Sequence, residues 1–156
     1  MAVTLAAGDA APDFKLTDQD DVVHRLADYR DRTVVLYFYP RDETPGCTIE
    51  ACSFRDVHDD IVAEGAVVLG VSADDAESHR VFRERHGLPF PLLVDEGASV
   101  ASAYGAWGEK VLYGRRSVGM TRCTFVIGPE GRLMKVWRRA RAAGHGEAVL
   151  GVLQTS

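Results

Sequence analysis

Two cysteines lie where a hydrophobic segment gives way, through a short polar loop, to a segment of helical periodicity. Cys47 follows the loop 39–46, and Cys52 comes five residues later. The first N–H groups of a helix have no partner inside it, and the helix dipole is positive at this end. A cysteine placed there is favoured as the thiolate, and its pKa can fall from about 8.5 into the range of roughly 3.5–7.5. The spacing therefore predicts that Cys47 is the nucleophile of a reactive-cysteine enzyme.

Segments typical of strands alternate with segments of helical periodicity along the 156 residues. The predicted strands are residues 33–39, 66–72, 92–94, 123–127 and 133–137, and the predicted helices are residues 48–64, 74–86, 98–104 and 147–153. Such alternation indicates parallel strands joined by crossover helices, and the turn residues 128–131 indicate a final antiparallel hairpin. Residues 14–16 and 22–26 are predicted to pair as an N-terminal β-hairpin. The sequence therefore predicts an α/β fold in one domain, residues 1–156, with a central mixed, mostly parallel sheet flanked by helices.

Two segments show no regular periodicity. Residues 1–12 are expected to lie on the domain as an arm, and residues 1–8 lack the basic region and the long apolar stretch of a signal peptide. Residues 105–121 are expected to form a long glycine-containing loop. Trp107 and Tyr113 are expected to pack that loop near Cys47.

The predicted helix after Cys47 has one apolar face. At 100° per residue, Phe54, Val57 and Ile61 fall within about 60° of each other. Cys47 falls about 20° from Phe54, whereas Cys52 falls about 160° from it. We therefore expect Cys47 to point toward the body of the protein and Cys52 to point away.

The composition argues against several classes of function. The net charge of −5 disfavours a general nucleic-acid binder. No apolar stretch approaches the roughly 18 residues that a membrane span needs, and a cytoplasmic location is expected. Three cysteines are an odd number, and structural disulfides are rare in the cytosol, so a cysteine pair here favours catalysis or redox chemistry. The five histidines show no metal-ligand spacing, and no metal site is expected.

The motif Pro40-x-x-x-Thr44-x-x-Cys47, with Cys52 five residues further on, resembles that of the peroxiredoxins. It is most similar to the bacterioferritin-comigratory-protein or peroxiredoxin Q branch. Further stretches follow the order of that family along nearly the whole chain, at residues 11–14, 69–72, 89–93, 104–110 and 122–127. The resemblance implies a thioredoxin-like fold and reduction of hydrogen peroxide or organic hydroperoxides, and this chemistry requires no metal or organic cofactor.

By this resemblance Cys47 is the peroxidatic cysteine, Cys52 the resolving cysteine and Arg122 the active-site arginine, while Pro40 and Thr44 are the motif proline and threonine. Attack on an O–O bond needs an ionised sulfur and donors for the charge that grows on oxygen. Arg122 keeps its proton, so it can favour the thiolate and donate to the peroxide oxygens. The Thr44 hydroxyl can accept from the peroxide and donate to sulfur, and Pro40 can shield the thiolate from water.

Attack leaves Cys47 as a sulfenic acid, with which a thiol condenses to a disulfide. In an intact helix Cys52 lies about 140° away, with a rise of about 7.5 Å. A disulfide normally needs Cα atoms closer than about 7 Å, so we expect the first turns of this helix to unwind in each cycle. The resemblance implies that thioredoxin then reduces the disulfide and that the enzyme is a monomer.

Several alternatives stay open at this point. Cys123 is expected to point away from Arg122 and to serve packing, with a role as alternative disulfide partner as the other possibility. Glu50 is either an ordinary first-turn acid or a residue that holds Arg122. The chain could also be a thiol–disulfide oxidoreductase, although such enzymes usually carry Cys-x-x-Cys. A non-catalytic redox-sensing or interaction protein that uses the thiolate as a switch is the third interpretation.

Overall fold

The structure, a computed structural model, describes residues 4–155. The strands are β1 (Lys15–Thr17), β2 (Val23–Arg25), β3 (Thr33–Phe38), β4 (Ala66–Ser72), β5 (Leu92–Val94), β6 (Trp107–Leu112), β7 (Arg115–Met120), β8 (Cys123–Ile127) and β9 (Leu133–Trp137). The helices are α1 (Pro45–Asp56), α2 (His58–Ala63), α3 (Ala76–His86), α4 (Ser99–Ala103) and α5 (His145–Gln154). Two short 3-10 helices cover Leu26–Tyr29 and Glu96–Ala98.

Within residues 4–155, seven strands form one sheet in the order β2-β1-β5-β4-β3-β8-β9. The pairs β3–β4 and β4–β5 are parallel, and the other neighbouring pairs are antiparallel. The mixed α/β sheet and the N-terminal hairpin are confirmed. Five of the seven strands, β2, β3, β4, β5 and β9, run in one direction as expected, whereas β1 and β8 run against them in the hairpins β1–β2 and β8–β9.

The centre of the sheet is covered on both faces, and β3 shows this directly. Its residues from 34 to 38 are each at most 1% exposed, which explains why the segment lacks apolar–polar alternation. Leu36 packs with Phe125 and α4 in a first core, whereas Tyr37 packs with Phe54 and helices α1, α2, α3 and α5 in a second core. The two cores lie on opposite faces of the sheet, so a residue of the sheet belongs to one or the other.

The helix predicted over residues 48–64 is two helices. The first starts earlier, at Pro45, because proline has no N–H to leave unpaired and its backbone angle suits the first helical position. The break falls at Val57, whose φ of −116° and ψ of 12° are not helical. Phe54 and Ile61 are fully buried, and Val57 is only half-buried. The apolar face therefore continues across a kink that hydrophobic spacing alone does not reveal.

The long loop predicted over residues 105–121 is instead a hairpin, in which β6 and β7 form a separate two-stranded sheet. Tyr113 (φ 52°) and Gly114 (φ 76°) are both left-handed, as the two-residue turns of tight hairpins require. Tyr113 is 96% exposed and Trp107 is 36% exposed. Tyr113 therefore does not pack near Cys47 as expected, whereas the packing of Trp107 near Cys47 stays a prediction.

The first part of the chain lies along β9. The N–H of Gly8 donates to the Leu133 carbonyl (2.8 Å), and the N–H of Ala11 donates to the Gly131 carbonyl (2.9 Å). The expected arm is thus confirmed from residue 4 onward, and residues 1–3, on which the signal-peptide expectation also depends, lie outside the described residues. Among the described helices, none has the length and apolar character to cross a membrane. The single domain of residues 1–156 stays a prediction.

Candidate active site

Cys47 is the third residue of α1 and is only 1% exposed. The N–H of Thr48 donates to the Thr44 carbonyl (2.9 Å), which closes the first turn of the helix. The side chain of Cys47 packs in the second core, on the face of the sheet that α1 covers. The prediction that Cys47 stands at a helix N-terminus and points toward the body of the protein is confirmed. Its sulfur is thus held where the helix dipole favours negative charge.

Arg122 lies directly before β8 and reaches Cys47 from the sheet. Its Nη2 is 3.6 Å from the Cys47 Sγ, and its Nη1 donates to Oε1 of Glu50 (2.7 Å). Glu50 is fully buried one turn further along α1. A Cβ atom on Gly46 would come within 2.8 Å of Nη2, so the guanidinium occupies space that any other residue at position 46 would need. Of the two roles left open for Glu50, the structure shows that it holds Arg122.

Burial and charge compete within this pair. Burial raises the pKa of Glu50 to about 7, although the neighbouring Arg122 opposes the shift. Burial acts to lower the pKa of Arg122, but the charges of Glu50 and then Cys47 outweigh it and leave that pKa raised. Oε2 of Glu50 and the Tyr37 hydroxyl are buried with no hydrogen-bond partner within residues 4–155. The site therefore keeps a permanent positive charge beside the sulfur, held through one carboxyl oxygen.

Thr44 and Pro40 lie on the loop that leads into α1. The Thr44 hydroxyl donates to the Arg41 carbonyl (2.8 Å). A hydroxyl has one hydrogen, so in this state Thr44 does not donate to the sulfur of Cys47 as expected, whereas its oxygen can still accept. Pro40 is half-buried after the buried Tyr39, and it contributes no N–H. Of the two predicted roles of Thr44, the structure therefore leaves one, which is to accept a hydrogen bond from the peroxide.

Cys52 is half-buried on α1, which is a continuous helix from Pro45 to Asp56. All three cysteines are free thiols. Helical geometry puts the Cα atoms of Cys47 and Cys52 beyond the separation of about 7 Å that a disulfide accepts. A bond between these two thiols therefore requires α1 to open in its first turns.

Cys123 belongs to the first core, on the face of the sheet opposite to Cys47. Its Sγ is 3.2 Å from the Thr121 hydroxyl and donates to the Arg138 carbonyl (3.1 Å). Burial raises the pKa of Cys123. The expectation that Cys123 points away from Arg122 is confirmed, and the sheet separates it from the Cys47 site.

A buried polar cluster beside the loop has no signal in the spacing of residues along the chain. Oδ2 of Asp42 lies 2.6 Å from Nδ1 of His79, and Asp74 offers an oxygen within 4.8 Å of both groups. His145 is a second buried histidine with a hydrogen bond, since its Nε2 lies 2.7 Å from the Thr124 hydroxyl. Asp42 and His79 are 37 positions apart, so only the fold brings them together.

A cysteine at a helix N-terminus with a guanidinium beside it defines a protein of the reactive-cysteine class. Residues 7–136 match the AhpC/TSA family, and the chain therefore belongs to that family. Peroxiredoxin Bcp of Bacillus subtilis is 44% identical over 153 residues, covering 98% of this chain and 96% of the relative. Peroxiredoxin Bcp of Escherichia coli is 40% identical over 150 residues, covering 96% of each chain.

Solved structures show the same fold. A cysteine-to-serine variant of PrxQ from Xylella fastidiosa superimposes with a TM-score of 0.91 at 34% identity, covering 98% of each chain. The bacterioferritin comigratory protein of Xanthomonas campestris, studied for alkyl peroxide reduction in trapped intermediate and ligand complexes, gives 0.87 at 34% identity and covers 99% of this chain and 98% of that one. The predicted thioredoxin-like fold is confirmed.

Proposed function

We propose that this chain is a thiol peroxidase that reduces hydrogen peroxide and organic hydroperoxides at Cys47. The observation that carries the proposal is the buried Cys47 sulfur at the start of α1 with the Arg122 guanidinium 3.6 Å away. Both features favour a thiolate, and the thiolate is the nucleophile. Family membership supports peroxide as the oxidant, and the alkyl peroxide reduction studied in the Xanthomonas relative supports organic hydroperoxides as well.

In the first step the Cys47 thiolate attacks one oxygen of the peroxide. An S–O bond forms, the O–O bond breaks, and the leaving hydroxide or alkoxide takes a proton to become water or an alcohol. Arg122 carries a permanent charge with several N–H groups, so it can stabilise the thiolate and also donate to the oxygen on which charge grows. The Thr44 oxygen can accept a hydrogen bond from the peroxide, and the apolar ring of Pro40 limits water at the sulfur. Cys47 is left as a sulfenic acid.

In the second step the Cys52 thiol condenses with the sulfenic acid, which forms the Cys47–Cys52 disulfide and releases water. The distance along an intact α1 is too great for this bond, so the first turns of α1 unwind. Unwinding carries Glu50 out of its buried site as well, since Glu50 lies between the two cysteines. Thioredoxin, a dithiol reductant, then restores both thiols. We place this cycle within one chain and in the cytoplasm, as the sequence predicts.

Intact-mass analysis after one equivalent of hydrogen peroxide tests the cycle. The reduced wild type should lose two hydrogens and yield a peptide that links Cys47 to Cys52, whereas Cys52→Ser should gain one oxygen or form intermolecular dimers. If both proteins give the same product, Cys52 is not the resolving residue. Peroxide-dependent turnover with thioredoxin and its reductase then tests the recycling step, with a monothiol as the control reductant.

A further inference from the structure

A buried polar cluster holds the loop Pro40–Thr44. The Asp42 carboxylate accepts a hydrogen bond from the Tyr39 hydroxyl (2.6 Å) and another from the Ser78 hydroxyl (2.9 Å). It also lies 2.6 Å from Nδ1 of His79, and the side chains of both residues are at most 1% exposed. One carboxylate inside the protein therefore joins the loop Pro40–Thr44 to α3 and to Tyr39, the residue that directly follows β3.

The second ring nitrogen of His79 shows how firmly this pair is held. Its Nε2 lies 2.8 Å from the carbonyl oxygen of Leu93 in β5. A carbonyl only accepts, so Nε2 donates to it, and the close approach of Nδ1 to Asp42 is a second hydrogen bond of the same ring. Buried polar groups that are hydrogen-bonded to each other are costly to separate, because each would be left unpaired away from water.

The same loop is fixed on both sides of that carboxylate. The N–H of Asp42 donates to Oδ2 of Asp74 (2.8 Å), which also accepts from the Ser72 hydroxyl (2.6 Å). On the other side, the Arg41 carbonyl accepts the hydroxyl of Thr44 (2.8 Å). The direction of that hydroxyl therefore depends on where the chain at residues 41 and 42 is held.

The next loop residue adds a surface attachment to α3. Glu43 has a left-handed backbone (φ 66°), and its carboxylate pairs with Arg85 and lies 3.6 Å from Nε2 of His86. This pair is exposed, and exposed ion pairs contribute little. Among the loop's contacts with α3, the buried Asp42–His79 contact is the one expected to matter.

We propose that Asp42 and His79 are positioning residues for the reaction with peroxide, an inference that rests on the proposed function. They hold the loop Pro40–Thr44 on β5 and α3, and through the Arg41 carbonyl they set the orientation of the Thr44 hydroxyl. The Asp42–His79 contact lies before α1 in the chain, so the loop keeps its conformation when the first turns of α1 unwind. The peroxide site then forms again as soon as the helix refolds.

Two matched substitutions separate this role from a merely structural one. In His79→Asn the amide nitrogen can take the place of Nδ1 and donate to Asp42, whereas in His79→Gln it can take the place of Nε2 and donate to Leu93. Both variants remove the same ring from the same core, so both are expected to lower the urea midpoint of unfolding by similar amounts. Only the asparagine variant keeps the link to the loop.

The rate constants of reduced protein with hydrogen peroxide and with iodoacetamide are then measured for the wild type and both variants. Alkylation requires only the thiolate, while reaction with peroxide also requires the oxygen-binding geometry. We expect His79→Gln to react with peroxide at least about 10-fold more slowly than wild type, His79→Asn within about 3-fold, and all three to alkylate within about 2-fold of each other.

Equal peroxide rates in the two variants would overturn the proposal, as would a fall in alkylation that parallels the fall in peroxide reaction. Exchange of Glu43 for glutamine is the control for charge at the loop and should leave both rates within about 2-fold. A wild type that alkylates but does not react with peroxide would overturn the proposed function and this inference together. A reactive wild type with equally reactive His79 variants would overturn this inference alone.

Discussion

Two buried cysteines lie on opposite faces of the same sheet, and their surroundings differ in one respect that matters for chemistry. Cys47 is 1% exposed and Cys123 is 3% exposed, so burial does not distinguish them. Cys47 stands at the start of α1 with the Arg122 guanidinium 3.6 Å from its sulfur. Cys123 lies in a strand and faces a hydroxyl and a carbonyl oxygen. A thiol that donates to a carbonyl is stabilised in its protonated form and not as the thiolate.

In the proposed cycle, charge and backbone geometry, more than access to solvent, distinguish the reactive thiol from the other buried one. Burial alone disfavours a thiolate, as the raised pKa of Cys123 shows. At Cys47 the cost of burial is met by a fixed cation and by the free N–H groups of a helix. The two sites thus act as test and control within one chain.

The largest effect is expected from exchanging each cysteine for serine. Cys47→Ser should abolish peroxide reduction, because no other thiol has both the cation and the helix terminus. Cys123→Ser should leave the rate constant for peroxide within about 2-fold and change mainly stability, by about 1 kcal/mol for a buried isosteric exchange. Peroxide consumption with a dithiol reductant measures the first effect, and urea unfolding measures the second. Loss of activity in Cys123→Ser at unchanged stability would contradict the contrast between a reactive Cys47 and an unreactive Cys123.

The next effect concerns the cation. Arg122→Met should lower the rate constant for peroxide by about 10²–10³, since it removes charge and donors from the developing oxyanion. Arg122→Lys keeps the charge but loses the planar guanidinium that contacts both Cys47 and Glu50. Its rate constant for peroxide should lie between those of Arg122→Met and wild type. Arg138→Met is the matched control beside Cys123 and should change the rate by less than about 2-fold. Stopped-flow reaction of reduced protein with hydrogen peroxide compares all three.

A smaller effect is expected from adding a single methyl group. Gly46→Ala puts a Cβ atom 2.8 Å from Nη2 of Arg122, so the guanidinium must shift away from the sulfur. A displacement of this size should slow the reaction with peroxide by roughly 10-fold or more. Gly151→Ala on α5 meets nothing within 4 Å and should leave the rate unchanged while stabilising the helix by up to about 1 kcal/mol. Equal rates in the two variants would show that the position of Arg122 is not critical.

The last effect is on stability and not on rate, and it concerns the pH dependence through Glu50. Its pKa is about 7 in the folded chain against an ordinary value of 4.5, so the folded state binds this proton more tightly than the unfolded state. Its contribution to stability is complete below pH 4.5 and is lost as the pH rises through 7. The free energy of unfolding of wild type relative to Glu50→Gln should therefore fall over this range, by at most about 3 kcal/mol.

Urea unfolding of both proteins across that pH range measures the difference, with Glu130→Gln, an exposed exchange, as the control. A rise of relative stability with pH would mean that the attraction of Arg122 outweighs the burial of Glu50. The cation beside Cys47 would then be neutralised more completely than the structure indicates.

The cysteine motif and the strands around it could be predicted from the sequence, because local spacing carries those signals. The position of Cys47 at a helix start follows from the apolar strand before it and the periodicity after it. The hairpin β6–β7 could not be predicted from the sequence, because its strands carry glycines and charges and Tyr113–Gly114 is a weak turn signal. The kink at Val57 was hidden because the apolar face continues across it.

The partners of the site residues were harder to predict than the residues themselves. The place of Arg122 in a motif marks it as a site residue, but its contact with Glu50 depends on how β8 and α1 pack. The pairing of Asp42 with His79 has no signal in spacing, because it joins a loop to a helix across the fold. Sequence thus indicates which groups react, and tertiary packing decides how they are held.

The most direct test of the contrast between the two buried thiols is to map where peroxide places its oxygen. Reduced Cys52→Ser protein, which lacks the proposed resolving thiol, is treated with one equivalent of hydrogen peroxide in the presence of a cyclic 1,3-dione that traps sulfenic acids, and the peptides are analysed by mass spectrometry. We predict that the adduct is found on Cys47 and not on Cys123. An adduct on Cys123, or equal labelling of both cysteines, would contradict the claim that Arg122 and the start of α1 make Cys47 the reactive thiol.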